Sequence, residues 1–182
     1  DMDSSISQSP LSNLISMKNF FQVGKNKIGW MGGNFKQHFV SMEFIMPKEL
    51  KLKNRVLEKP MLDKDILAKW KPKETTLGEL AWAIKNHEKA KLLKNGYANI
   101  FYIRDNDNTL WAVNAGWSSF DHDWLVEAFS VGRPYVWLAG CQVLSQAFSE
   151  LDTLDSGNLE KRVKKIEDWI DFWETVDTPW NK

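Results

Sequence analysis

The sequence predicts an α+β fold: an antiparallel β-meander of three to four strands packed against helices, with a mostly helical N-terminal region and an amphipathic C-terminal helix. Three observations lead there. Between residues 97 and 145 apolar runs of period two alternate with turn-rich clusters. A capping box opens a helix just upstream, and a seam of helical spacing follows near the C-terminus. The chain has 182 residues, 43% apolar and 26% charged, enough for one buried core at roughly 100–200 residues per domain.

Residues 1–9, rich in Ser and acidic side chains, read as a disordered lead. From Pro10, the positions Leu11, Leu14, Ile15, Lys18 and Phe21 have helical spacing, with Gly24 as a stop. Gly29-Trp30-Met31-Gly32-Gly33 reads as a turn. Asn34 then caps a second helix, which carries Phe35, His38, Phe39 and Met42 and ends at Pro47. Residues 48–60 are a charged connector with room for a short strand, and Asp63 to Trp70 form one or two helical turns stopped by Pro72. Residues 10–73 are therefore expected to be mostly helical, and 74–182 an α+β module within the same globular unit.

In Thr76-Leu77-Gly78-Glu79 the Thr hydroxyl and the Glu carboxylate can satisfy each other's orphan backbone donors. Leu77, Leu80, Ala81, Ile84 and Leu92 mark the buried stripe, and Asn95-Gly96 ends it. Tyr97 to Arg104 and Thr109 to Trp117 then form a hairpin across Asp105-Asn106-Asp107-Asn108. Turns at Ser118–Asp123 and Gly132-Arg133-Pro134 lead to Trp124–Val131 and Val136–Ser145. Alternation places Trp111, Val113, Ala115 and Trp117 on one face with Trp124, Val126 and Ala128. The opposite face of the second strand, Leu110, Ala112, Asn114 and Gly116, is small and partly polar, either solvated or closely approached. The Thr76 helix and the C-terminal helix are expected to cover the Trp111 face.

The last helix, about 158–176 and capped by Asn158 or Ser156, carries Leu159, Val163, Ile166, Ile170 and Trp173 in steps of four and three. Two heptads favour docking on the chain's own sheet over a coiled coil. Trp169, Phe172 and Val176 widen the apolar arc, and Trp180 follows. This surplus predicts an intermolecular contact, a homodimer or a protein partner, through Trp169, Phe172 and Trp173.

The 24 basic residues equal the 24 acidic ones, so no net basic field favours nucleic acid or an acidic membrane. One cysteine, Cys141, forbids an internal disulfide, leaves no zinc cluster and fits a reducing, cytoplasmic setting. The N-terminal apolar stretch Leu11–Ile15 is broken by Ser12 and Asn13 and has no basic n-region, so no secretory signal is expected. The most apolar window, Tyr135–Cys141, is far short of the ~20 residues that cross a bilayer.

The chemical motifs are weak. Residues 95–103 are a poor copy of the strand on which RNA-recognition domains display aromatics, and a plain core strand is strongly favoured. Asp121-His122-Asp123 offers metal-ligand chemistry, but adjacent turn residues point apart. Cys141 in Leu138-Ala139-Gly140-Cys141-Gln142-Val143 reads as a small buried hydrophobe. No phosphate-binding loop, dinucleotide fingerprint, nucleophile elbow or zinc-protease helix occurs, and no cofactor is expected. There are ten tryptophans; about seven should be core and, given how seldom Trp is fully buried, two or three exposed and free to stack on a ligand. Trp117, Trp124 and Trp137, with Asn114 beside them, are the candidate ligand-binding residues.

The residues Thr75-Thr76-Leu77 with Glu79, Asn95-Gly96-Tyr97-Ala98-Asn99-Ile100-Phe101-Tyr102-Ile103, Leu110-Trp111-Ala112-Val113, Trp117, Trp124, Pro134, Trp137, Gly140 and Gln142-Val143 together resemble a recurrent module of uncharacterised bacterial proteins, many from reduced-genome candidate lineages. The resemblance spans roughly residues 74–145, with an echo at Gly29-Trp30-Met31 and Asn34-Phe35-Lys36. It implies a bacterial, unitary module and carries no activity; after Ser145 the chain departs from it.

Two classes of function follow. The first is a non-enzymatic binding or assembly module that uses exposed aromatics for a protein partner, with weak carbohydrate or single-stranded nucleic-acid binding as a variant. The second is an enzyme assembled from His38, His87, Asp121, His122 and Cys141, which requires two of these and a carboxylate to converge in a pocket.

Overall fold

Alternation of large apolar with small or polar side chains carries the chain through three consecutive antiparallel strands, and non-local pairing enlarges them into a mixed sheet. The computed structural model describes residues 20–147 and the backbone of 14–16. In chain order the elements are β1 (Leu14–Ser16), β2 (Ile28–Met31), α1 (Gly33–Phe39), β3 (Glu43–Ile45), β4 (Leu52–Val56), α2 (Asp63–Trp70), α3 (Leu77–Lys85), β5 (Asn99–Arg104), β6 (Leu110–Ser118), β7 (Asp123–Ser130) and β8 (Gln142–Gln146).

The sheet is six-stranded and mixed, in the order β2-β7-β6-β5-β8-β4, which corrects the expected antiparallel meander of three to four strands. Only β5-β6-β7 run as a meander, from Asn99↔Ala115 through Trp117↔Trp124. β8 leaves β7 and crosses over to lie parallel to β5, pairing Asn99 with Gln142 and Phe101 with Leu144. The crossover is driven by burial on both faces: Leu144 enters one core and Val143 the other, a position unavailable at the sheet's edge. β2, expected as a turn, pairs parallel with β7 because its register buries Ile28 and Met31. β4, the short strand for which the connector over 48–60 left room, closes the other edge against β8; its Lys53, Asn54 and Arg55 are the polar side chains that protect an edge strand.

The N-terminal region differs as well. Residues 14–16, expected within a helix, form β1 and pair antiparallel with β3, Leu14 opposite Ile45. α1 stops at Phe39 rather than running to Pro47, since Phe44 is drawn onto Phe20 and Phe21 with ring centroids 6.1 and 5.9 Å away. Tertiary burial outweighs a helical pattern that was only weakly favoured. The expected lead over 1–9 and the C-terminal helix with Trp169, Phe172, Trp173 and Trp180 lie outside the described residues.

Each sheet face holds a core. On one, Trp111, Val113, Ala115 and Trp117 of β6 join Trp124, Val126 and Ala128 of β7, as alternation requires, and pack with Phe35 and Phe39 of α1 and Leu77, Leu80, Ala81 and Ile84 of α3. α3 begins with the expected reciprocal cap: Thr76 N–H donates to Glu79 at 2.8 Å and Glu79 N–H to the Thr76 hydroxyl at 3.3 Å. On the other face, Ala112, Ile100, Tyr102 and Val143 are covered by Ile66 of α2 and by Leu57, Met61, Trp137 and Cys141. The small side of β6 is therefore closely approached over Leu110 and Ala112. Each fully buried aromatic or aliphatic side chain contributes roughly 1.5–3 kcal/mol.

Candidate functional site

Asp63 opens α2, where the helix dipole favours a carboxylate, and it is completely buried. Its Oδ1 accepts from the Tyr102 hydroxyl at 2.8 Å and from the Trp137 indole N–H at 2.7 Å. Its Oδ2 lies 3.6 Å from Arg133 Nε, an ion-pair contact too long for a hydrogen bond, and both atoms are buried without a hydrogen-bond partner. Burial raises the Asp63 pKa against the opposing pull of Trp137, Tyr102 and Arg133. The Tyr102 hydroxyl is raised too, by burial and then by the neighbouring carboxylate. The Arg133 guanidinium sits in the corner made by two rings at 80° to each other, its carbon 3.9 Å from the Phe129 centroid and 4.2 Å from that of Trp137.

These contacts pin the segment joining β7 to β8 at both ends. Arg133 and Trp137 reach the same carboxylate, Trp137 exchanges backbone hydrogen bonds with Met61 at 2.8 and 3.0 Å, and Gly140 N–H donates to Leu57 at 2.8 Å. Gly140 has φ +97°, and a Cβ there would come within 2.8 Å of the Tyr97 ring, so the segment's end needs glycine on both conformational and spatial grounds. Between and beside the pins, Tyr135, Val136 and Leu138 are 71%, 46% and 61% exposed. An anchored loop that turns three apolar side chains outward is the candidate site.

The residues singled out from sequence are dispersed. Trp137 belongs to this site, but buried as a pin. Trp117 and Trp124 lie on the opposite sheet face, ring centroids 5.0 Å apart, with Trp124 buried. Lys94 Nζ stands 4.0 Å over the Trp117 ring, and His87 and His122 flank it at 6.5 Å. Asn114 accepts from the Asn99 backbone at 3.1 Å within an amide network: Asn99 Nδ2 donates to Ala115 and Leu93 carbonyls, and its Oδ1 accepts from Gln142 at 2.6 Å. The four do not gather into one surface.

The acid–base candidates do not converge either. His38 Nδ1 bonds Asp105 at 3.0 Å and its ring lies 4.2 Å from Trp111. Asp105 also accepts from Trp111 Nε1, Thr109 N–H and Asp107 N–H at 2.9–3.0 Å. Burial alone would raise its pKa, but these donors together bring it below the usual value. The cluster locks the β5–β6 turn. His87 and His122 meet at Trp117, with no carboxylate bonded to either among the described residues, and Cys141 is buried on the far face. Among the described residues no group of three His, Cys, Asp or Glu could hold a metal ion, and no helix is long and apolar enough to cross a membrane.

Sequence reasoning missed Asp63 and Arg133. The one available signal was Arg133 in a Gly-Arg-Pro turn beside Tyr135, Val136 and Trp137, apolar residues dense for a loop. No family model, curated protein or solved structure matches the chain.

Proposed function

We propose that this chain is a non-enzymatic binding module and that the loop from Arg133 to Gly140 is its contact surface for a protein partner. The observation that carries the reading is the contrast within one loop: Trp137 buried and bonded, Tyr135, Val136 and Leu138 outside. Exposed apolar side chains on a free loop lose conformational entropy when they bind, whereas a pinned loop has already lost it in folding. A Tyr flanked by aliphatic residues is the composition of an interface centre, since aromatics carry disproportionate binding energy. The scattered His and Cys residues give an enzyme reading no such support. A bacterial, cytoplasmic setting agrees with the resemblance and the single cysteine.

A photocrosslinking amino acid placed at Tyr135, and separately at exposed Lys25 as a control, tests the reading in cells that make the protein. A discrete adduct with another protein from position 135, missing from position 25, is the expected result. The same adducts from both positions, or none, would overturn it.

A further inference from the structure

We infer that Arg133 is a carboxylate receptor at the heart of this loop, so that the partner segment it recognises carries an acidic side chain, Asp or Glu, among apolar residues; this rests on the loop being the contact surface. The guanidinium offers five donors in one plane. Nε is spent facing Asp63 Oδ2 and is buried without a hydrogen bond. Neither terminal nitrogen has a hydrogen-bond partner among the described residues, and neither is among the buried polar atoms left unsatisfied. The remaining 17% exposure of the side chain therefore includes that outer edge. Phe129 and Trp137, set at 80° to each other, wall the guanidinium on two adjoining sides, leaving the side away from both rings and Asp63 as the direction of approach.

An Arg packed against two rings, with its inner nitrogen turned to a buried carboxylate and its terminal nitrogens unpaired and reached by solvent, is preorganised for a bidentate carboxylate. Asp63 orients the guanidinium without consuming the outer donors, because Oδ1 is filled by Tyr102 and Trp137. Desolvation by Tyr135, Val136 and a seated partner strengthens the new hydrogen bonds. A carboxylate alone would gain little in water, so the apolar neighbours are part of the specificity.

The probe is a random linear-peptide display library selected on the intact chain, with recovered peptides measured by titration against the wild type and variants. The expected peptides lose binding to Tyr135→Ala and carry Asp or Glu close to aromatic or aliphatic residues. Replacing that acid by its amide, or Arg133→Lys in the protein, should weaken them by about tenfold to a hundredfold, the loss expected for hydrogen bonds to a charged group. The amide peptide requires no change in the protein, so a poorly folded Arg133→Lys chain leaves the test intact. Tyr135-dependent peptides that lack an acid, or tolerate its amide, would overturn the receptor while the loop reading stands. A library that yields no Tyr135-dependent peptide would overturn both.

Discussion

Trp137 donates its indole N–H to Asp63 at 2.7 Å, a buried bond that spans 74 positions of the chain. It ties the first residue of α2 to the loop between β7 and β8, and with Arg133 it makes one carboxylate the anchor of the surface proposed for binding.

Asp63→Ala should cost about 3–5 kcal/mol, because it leaves a largely buried guanidinium without its counter-charge and two buried donors without an acceptor. Urea unfolding measures it. A change below 1 kcal/mol would show the anchor to be dispensable.

The raised pKa of Asp63 sets the sign of a pH effect. A folded-state value above the unfolded one means that the folded chain holds the proton longer, so this group's contribution is fully present below the unfolded value of about 3.8 and lost as pH rises through the folded value. Asp63→Asn removes that titration. Relative to wild type, the variant should therefore gain stability as pH is raised from 4 to 7, which paired unfolding curves would reveal.

Asp105 behaves oppositely. Its lowered pKa gives stability that is present above the unfolded value and lost as pH falls through the folded one. Asp105→Asn should cost about 1–3 kcal/mol at pH 7, and the deficit should shrink in acid. A deficit independent of pH would contradict the ionised, four-donor picture.

Trp111 is partly buried against the α1–α3 core and donates to Asp105 at 2.9 Å. Trp111→Ala should cost about 3 kcal/mol, whereas Trp111→Phe, which retains most of the packing, should cost about 1. Thermal unfolding of the pair separates ring from hydrogen bond.

Two glycines should respond with opposite sign to alanine. A Cβ on Gly78 would collide with the Ile45 carbonyl, while one on Gly33 meets nothing within 4 Å. Gly78→Ala should cost about 1–3 kcal/mol despite alanine's better helix propensity, and Gly33→Ala should gain about 0.4–1. Denaturant midpoints of the two variants decide it.

Local signals were legible and distant ones were not. The Thr76–Glu79 cap, the β5–β6 and β6–β7 hairpins and the inward set Trp111, Val113, Ala115, Trp124 and Val126 follow from short-range chemistry. β2 and β4 derive their strand state from β7 and β8, far along the chain, so Gly29-Trp30-Met31-Gly32-Gly33 read as a turn and residues 48–60 as a connector with room for only a short strand. Asn99, which the strand pattern showed only as a polar residue in an apolar run, ties Leu93, Ala115 and Gln142 together. The anchor was hidden for the same reason: an Asp at a helix start looks like ordinary helix chemistry until Tyr102, Arg133 and Trp137 close over it.

The claim that the Arg133–Gly140 loop is held rigid for a partner is tested most directly by native-state hydrogen exchange at the Trp137 and Gly140 amides, which bond Met61 and Leu57 at 2.8 Å. The account predicts protection comparable to that of β8, and its loss in Asp63→Ala under conditions where β6 and β7 stay protected. Exchange at free-peptide rates in the wild type, or protection unaltered by Asp63→Ala, would contradict it.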